Sequence, residues 1–226
     1  MTYALLIGQK SYSSWSLRGW LAFTAFDIPV EVHSALIYGD SFYDDVAAFG
    51  GHRTVPAVRT PKGGLLTDSL AIGWHLAEAF PDHGLLPEDP RARATAMSTI
   101  AEMHSGFTAL RGACPMNLRT GWAGFEPSEA VLSDVARVDQ LFQEALDASG
   151  GPFLHGAISL VDVFYAPVVT RLLTYGLPMS EPTRAYAQAV TRLPVFQKWR
   201  EAGLTEDDEL AIYDMPHLQR VPFPLL

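Results

Sequence analysis

Hydroxyl-bearing residues crowd one short stretch, Ser11-Tyr12-Ser13-Ser14-Trp15-Ser16, between an apolar run ending at Gly8 and a helical pattern beginning at Leu17. A helix starting here aims its first N–H groups and its positive end at the stretch, which favours an anion. A hydroxyl that donates to a thiolate stabilises the charged form and lowers the pKa of the thiol. The same serines also suit plain helix capping. A second candidate is Thr54-Val55-Pro56-Ala57. A cis Val-Pro bond there would leave the Val55 backbone free to pair with an extended peptide ligand, although trans is the default, with cis at about 5–6% of X-Pro bonds. A third is Thr67-Asp68-Ser69-Leu70, where a carboxylate and a hydroxyl at a helix start could hold the ammonium and carboxylate of an amino-acid-like ligand, or form an ordinary N-cap. Ser159-Leu160-Val161-Asp162 reads as a capping box, a folding signal rather than a chemical one.

The elements that must position these residues follow from hydrophobic periodicity. Tyr3 to Ile7 has strand length, Leu17, Trp20, Leu21, Thr24 and Ala25 recur at helical spacing, and Val30 to Leu36 alternates as a strand. A loop or short helix covers about Gly39 to Arg53. Pro61-Lys62-Gly63-Gly64 marks a hairpin, and Asp68 opens a helix carrying Leu70, Trp74, Ala77 and Phe80. The order is β-α-β-(α)-β-β-α. The punctuated stretch Pro81 to Pro87 marks a domain boundary, giving units at 1–81 and 88–226. Beyond it every element reads as helix. Met97, Ile100, His104, Phe107 and Arg111 share one face of the first long helix, and Val131, Val135, Val138, Phe142 and Ala145 line another. Helices at about 159–174, 182–192 and 194–202 precede a proline-broken tail. The fold class is α/β plus all-α.

Composition removes several function classes. The net charge of −9 argues against sequence-blind nucleic-acid binding, which depends on cationic contacts to phosphates. One cysteine, Cys114, supports neither an internal disulfide nor a Cys-rich metal site nor a C-x-x-C pair, and a lone Cys beside Pro reads as a small buried hydrophobe. The seven histidines form no metal-ligand pair of the H-E-x-x-H kind, so no metal is expected. No basic segment precedes the short apolar N-terminal run, and no stretch has the length of a membrane span. The expectation is a soluble cytoplasmic protein.

Taken in order, Ser13-Ser14-Trp15-Ser16-Leu17-Arg18, Val55-Pro56-Ala57, Asp68-Ser69-Leu70-Ala71-Ile72 and Gly156-x-x-Ser159-x-x-Asp162 resemble the cytosolic glutathione S-transferase family. The likeness runs from Tyr3 to about Ala202. It implies a thioredoxin-like N-terminal domain followed by an all-helical C-terminal domain, with glutathione as co-substrate and a small electrophile as acceptor. It implies that Pro56 is cis, that the Val55 backbone pairs with the cysteinyl part of glutathione, and that Asp68 and Ser69 hold its γ-glutamyl end. The first loop looks most like the zeta-type S-S-C-S loop, so Ser13 leads as the residue that assists the thiolate, with Ser14 one position away. Trp15 stands where that loop has its cysteine, and Thr54 where many relatives have Lys or Gln, a contact that Arg53 or His52 could supply. The acceptor site is expected between the domains, with Trp15, His104, Phe107, Arg111 and Asn117 as its lining. The core and a solvated or interdomain ion pair are the alternative places for His104, Phe107 and Arg111.

The activity that the likeness implies is conjugation of glutathione to an electrophile. An isomerase of maleylacetoacetate-like diacids and a non-catalytic scaffold are the alternatives, and a disulfide reductase is disfavoured by the absence of a first-loop cysteine. The family likeness also implies a two-fold homodimer.

Overall fold

A computed structural model describes residues 2–50, 53–207 and 209–224. His52 lies outside the described residues. The N-terminal part is a four-stranded sheet of order β2-β1-β3-β4, built from β1 (Tyr3–Ile7), β2 (Val30–Ser34), β3 (Ala57–Arg59) and β4 (Leu65–Leu66). β1 pairs parallel with β2 and antiparallel with β3, so α1 (Ser14–Thr24) is the crossover between β1 and β2. Because successive side chains in a strand point to opposite faces, β1 feeds two cores. Tyr3, Leu5 and Ile7 meet Leu17, Leu21 and Phe23 of α1 and Ile72 and Leu76 of α3 (Ser69–Ala79) in the main core. Ala4 and Leu6 turn to the other face, against Val46 of α2 (Phe42–Ala48) and Phe49.

After a 3-10 turn at Pro81–His83 come α4 (Pro90–Ser105), α5 (Thr108–Ala113), β5 (Thr120–Ala123), α6 (Glu129–Ser149), α7 (Leu160–Thr174), α8 (Glu181–Thr191) and α9 (Pro194–Leu204). α7 is buried along its whole length and packs against both α1 and α4. It begins with the Ser159/Asp162 capping box: the Ser159 amide donates to Asp162 at 2.8 Å, and the Leu154 amide donates to the same carboxylate at 3.1 Å. Val131, Val135, Val138 and Phe142 of α6 are buried as their spacing predicts.

Two features depart from the sequence reading. The first long helix ends at Ser105. Gly106 takes an extended conformation and Phe107 a left-handed one at φ 55°, so α4 and α5 are separate helices and Phe107 and Arg111 do not continue the α4 face. A Cβ at Gly106 would come within 2.6 Å of the Glu102 carbonyl oxygen, a close approach that suits glycine. The second departure is β6 (Gln219–Pro222), which pairs antiparallel with β5 and returns the chain end to the middle of the helical part. The tail is fastened near the first loop as well. Lys10 pairs with Glu206 at 2.7 Å, and the Arg119 guanidinium donates to the carbonyls of Gly203 and Glu206. No helix among the described residues is long and apolar enough to cross a membrane.

Candidate active site

The N-terminus of α1 sets the geometry. Ser13 is the N-cap: its Oγ accepts from the Ser16 amide at 3.3 Å and donates to Ser16 Oγ at 2.7 Å. Ser16 Oγ in turn accepts from the Gly8 amide. Ser13 is only 6% exposed, and its hydroxyl hydrogen is committed within this chain of bonds. Ser14, the first helical residue, is only partly buried, and its Oγ accepts from Arg171 Nη2 at 3.4 Å. Its hydrogen is therefore the one left to be donated. The Ser14 and Trp15 amides make no hydrogen bond among the described residues, as expected of first-turn donors.

These groups open onto a cleft of about 810 Å³. Its walls come from the Tyr12–Trp15 turn, the stretch from Ile37 to Tyr43 after β2, Arg111 and Gly112 at the end of α5 with Pro115 and Met116 beyond it, Arg171 of α7, and Ile212 and Tyr213 in the tail. Arg53, Thr54 and Val55 close one side. A second pocket of about 260 Å³ adjoins it, sharing Trp15, Thr54 and Val55 and adding Pro56, Thr67, Asp68, Ser69 and His104.

The Val55–Pro56 bond is cis, as the family likeness implies. α1 presses close to this turn, since a Cβ on Gly19 would lie 2.7 Å from the Pro56 ring. Val55 bonds through neither its N–H nor its C=O to any described residue. Asp68 caps α3, with Oδ1 accepting from the Leu70 amide at 2.8 Å and the Ala71 amide at 3.3 Å. Its Oδ2 remains directed to the pocket, 3.4 Å from His104 Nε2. Ser69 is 3% exposed, yet its hydroxyl has no partner among the described residues, and His104 Nδ1 is likewise buried and unpartnered. Unsatisfied polar atoms converging on one pocket mark a place where a polar ligand completes the bonding.

Positive charge gathers around Trp15 and Ser14. The guanidinium carbons of Arg18 and Arg111 lie 4.5 and 4.8 Å from the Trp15 ring, and Arg171 reaches Ser14. Among the described residues no carboxylate pairs with any of the three. Burial, then the neighbouring Arg111 charge, pulls Arg171 down to about 10, so it stays protonated at neutral pH. Burial, then Arg171 and Arg111, lowers Arg18 as well. A cluster of unpaired cations in a molecule of net charge −9 suits an anionic ligand.

The structure distributes the residues proposed for the acceptor side differently from their sequence grouping. Trp15 stands between the two pockets, and Arg111 lines the larger one. His104 belongs to the smaller pocket, beside Asp68. Phe107 turns into the core against Tyr165, because the helix break at Gly106 rotates it away from the cleft. Asn117 is fully buried, its Oδ1 accepting from the Arg119 amide and its carbonyl from Thr174, so it braces a turn and lines neither pocket. Cys114 is also fully buried. Burial pushes its thiol up to about 12, which fits a small hydrophobe rather than a reactive group.

Arg171, Tyr38 and Tyr213 are cleft residues that the sequence pattern does not single out, and Tyr12 of the hydroxyl-rich first loop joins them. Tyr213 stacks on Tyr12 at 4.9 Å and near Tyr38 at 6.5 Å, closing one end of the cleft with the tail. Arg171 leaves one trace in the sequence: it is the only charged residue of α7 after its first turn.

A family model described as glutathione S-transferase, N-terminal domain, matches residues 12–79. The chain is 27% identical over 169 residues to a probable maleylacetoacetate isomerase 1 of Drosophila melanogaster, an alignment covering 73% of this chain and 67% of that protein. A maleylacetoacetate isomerase of Rattus norvegicus is 26% identical over 194 residues, covering 83% of this chain and 87% of that one. A glutathione transferase homologue from Burkholderia, whose crystal structure contains bound glutathione, shares the fold with a TM-score of 0.69 at 20% identity, covering 91% of this chain and 100% of the other.

Proposed function

We propose that the chain is a member of the cytosolic glutathione S-transferase family and that it joins the sulfur of glutathione to a small electrophile in the larger cleft. The observation that carries the proposal is the pair of adjoining pockets. One offers the unpartnered Ser69 hydroxyl and the Asp68 Oδ2 beside His104; the other offers the Ser14 hydroxyl and two free helix-start amides. Residues 1–81 act as the glutathione-binding domain, and residues 88–226 contribute the acceptor side.

In this reading Asp68 accepts from the γ-glutamyl ammonium and Ser69 donates to the γ-glutamyl carboxylate, with His104 beside them. Val55 pairs through its backbone with the cysteinyl unit, on the turn made by Pro56, and Arg53 lies alongside. The sulfur then reaches the start of α1. Ser14 replaces Ser13 as the leading donor, since the Ser13 hydrogen is held by Ser16. The thiol proton passes to solvent, Ser14 donates to the resulting thiolate, and the sulfur lone pair forms the new bond to the electrophilic carbon as a leaving group departs. Ser14 is neither base nor nucleophile. Each pKa unit by which the site favours the thiolate corresponds to about 1.4 kcal/mol.

A second reading has one specific observation in its favour. Two arginines lining the cleft, Arg111 and Arg171, have no carboxylate partner among the described residues and suit an acceptor with acid groups, as in glutathione-dependent isomerisation of an unsaturated diacid. There the thiolate adds to a double bond, the resulting single bond rotates, and the sulfur leaves again. Trp15 in the position of the zeta-type cysteine weighs against it.

Family likeness further supports a homodimer, a cytoplasmic setting and detoxification as the biological use. The test is retention on immobilised glutathione, followed by a panel of chromogenic electrophiles and one unsaturated diacid. Conjugation of the electrophiles supports the transferase reading, and turnover of the diacid alone supports the isomerase. Neither retention nor turnover would leave a scaffold.

A further inference from the structure

We propose that Arg171 is a positioning residue for the thiolate chemistry: by holding the Ser14 oxygen as an acceptor, it turns the Ser14 hydroxyl hydrogen toward the sulfur of bound glutathione. The inference rests on the reading of Ser14 as the thiolate's donor.

Arginine carries only donors, whereas a serine hydroxyl has one hydrogen and two lone pairs. Arg171 Nε donates to the Cys114 carbonyl at 2.9 Å, and Nη1 donates to the Pro167 carbonyl at 2.8 Å. Those two bonds, from the α5 end and from one turn back in α7, fix the plane of the guanidinium. They leave Nη2 directed at Ser14 Oγ, 3.4 Å away. With a lone pair occupied from that side, the Ser14 hydrogen cannot point back at Arg171 and is left for the cleft. Ser13 makes the contrast, because its hydrogen is spent on Ser16 within the turn. Arg171 is 5% exposed, so it neither samples many rotamers nor loses its charge to solvent screening. The ionisable groups around it are Arg18, Arg111, Cys114, Tyr175 and Tyr213, none of them a carboxylate. Its charge is thus available to the anion that Ser14 would face.

At saturating glutathione, the pH dependence of kcat/KM for a chromogenic electrophile reports ionisation of the bound thiol. The variants are S14A, R171Q, which removes the charge, and R171K, which keeps the charge but not the fork, each arginine variant also combined with S14A. The expected result is that R171Q raises the apparent thiol pKa by about one unit, a tenfold loss of thiolate well below that pKa. R171K should fall between R171Q and wild type, and R171Q should add little once Ser14 is alanine. An unchanged pKa in R171Q, with S14A raising it, overturns the role of Arg171 while Ser14 stands. An equal rise in both backgrounds makes Arg171 a bare charge and overturns positioning. No effect of S14A overturns the Ser14 reading itself. Because Arg171 also ties two carbonyls, its variants could unfold, and nitrogen-15 NMR of the guanidinium tests the wild-type residue directly. Ionisation of bound glutathione should move the Arg171 Nη resonances more in wild type than in S14A; equal responses, or none, overturn the proposal.

Discussion

Replacing Ser69 by alanine separates ligand binding from folding, because the two should respond with opposite signs. Ser69 is 3% exposed at the start of α3, and its hydroxyl has no partner among the described residues. A buried hydroxyl without a partner costs about 1–3 kcal/mol of desolvation, so removing it relieves a cost rather than breaking a bond. Alanine is also the better helix former, by a few tenths of a kcal/mol. The Ser69→Ala protein without ligand should therefore be as stable as wild type, or more stable by up to about 1 kcal/mol, in urea unfolding. Glutathione binding should weaken instead. A hydrogen bond to a charged group contributes about 1.5–3 kcal/mol, which at about 1.4 kcal/mol per decade is roughly a 10- to 150-fold rise in Kd by calorimetry. A loss of more than about 1 kcal/mol in ligand-free stability, with an unchanged Kd, would refute the reasoning and make Ser69 a structural hydroxyl.

Other perturbations test separate parts of the account. Asp68→Asn keeps the α3 cap, because asparagine caps about as well as aspartate. It should leave stability within about 0.5 kcal/mol while raising the Kd for glutathione about tenfold or more, as read by the same two assays. Gly19→Ala drives a Cβ to within 2.7 Å of Pro56 and should cost about 1–3 kcal/mol in unfolding as well as weaken glutathione binding; an unaffected protein would mean that the contact between α1 and the turn is slack. Cys114, pushed up to about 12 by burial, should alkylate at pH 8 about three orders of magnitude more slowly than a free thiol, as followed by mass spectrometry under native conditions. Asp139 tests the pH dependence of folding. Burial raises its pKa, but hydrogen bonds from Thr183, Ser180 and Gln143 outweigh that and hold it below the ordinary value. Its stabilisation is therefore present above the unfolded pKa and is lost as pH falls through the lowered folded one. The stability gap between wild type and Asp139→Asn should narrow on acidification below about pH 4, and a widening gap would contradict the sign.

Parts of the site are legible in the sequence because their chemistry is local. Asp68 and Ser69 can be read because capping is written in adjacent residues, and the Ser13–Ser16 turn because a strand, a loop and a helix pattern follow directly upon one another. The division of labour between Ser13 and Ser14 cannot be read in the same way. It depends on whether Ser16 or Arg171 meets the hydroxyl, and Arg171 lies far along the chain in α7. The same distance in sequence hides Tyr213, which reaches the cleft only because β6 pairs back onto β5 and Glu206 ties to Lys10. β5 itself spans four residues without clear alternation, so its pairing is the only thing that defines it. The break between α4 and α5 is masked because apolar spacing continues across Gly106 while the backbone does not.

The central claim, that this site holds glutathione as its thiolate, is tested most directly by the ultraviolet absorbance of the bound thiolate across pH. A free thiol titrates near about 8.5. The account predicts that glutathione bound to the wild-type protein titrates at least about one unit lower. Bound glutathione that titrates like the free tripeptide would contradict it.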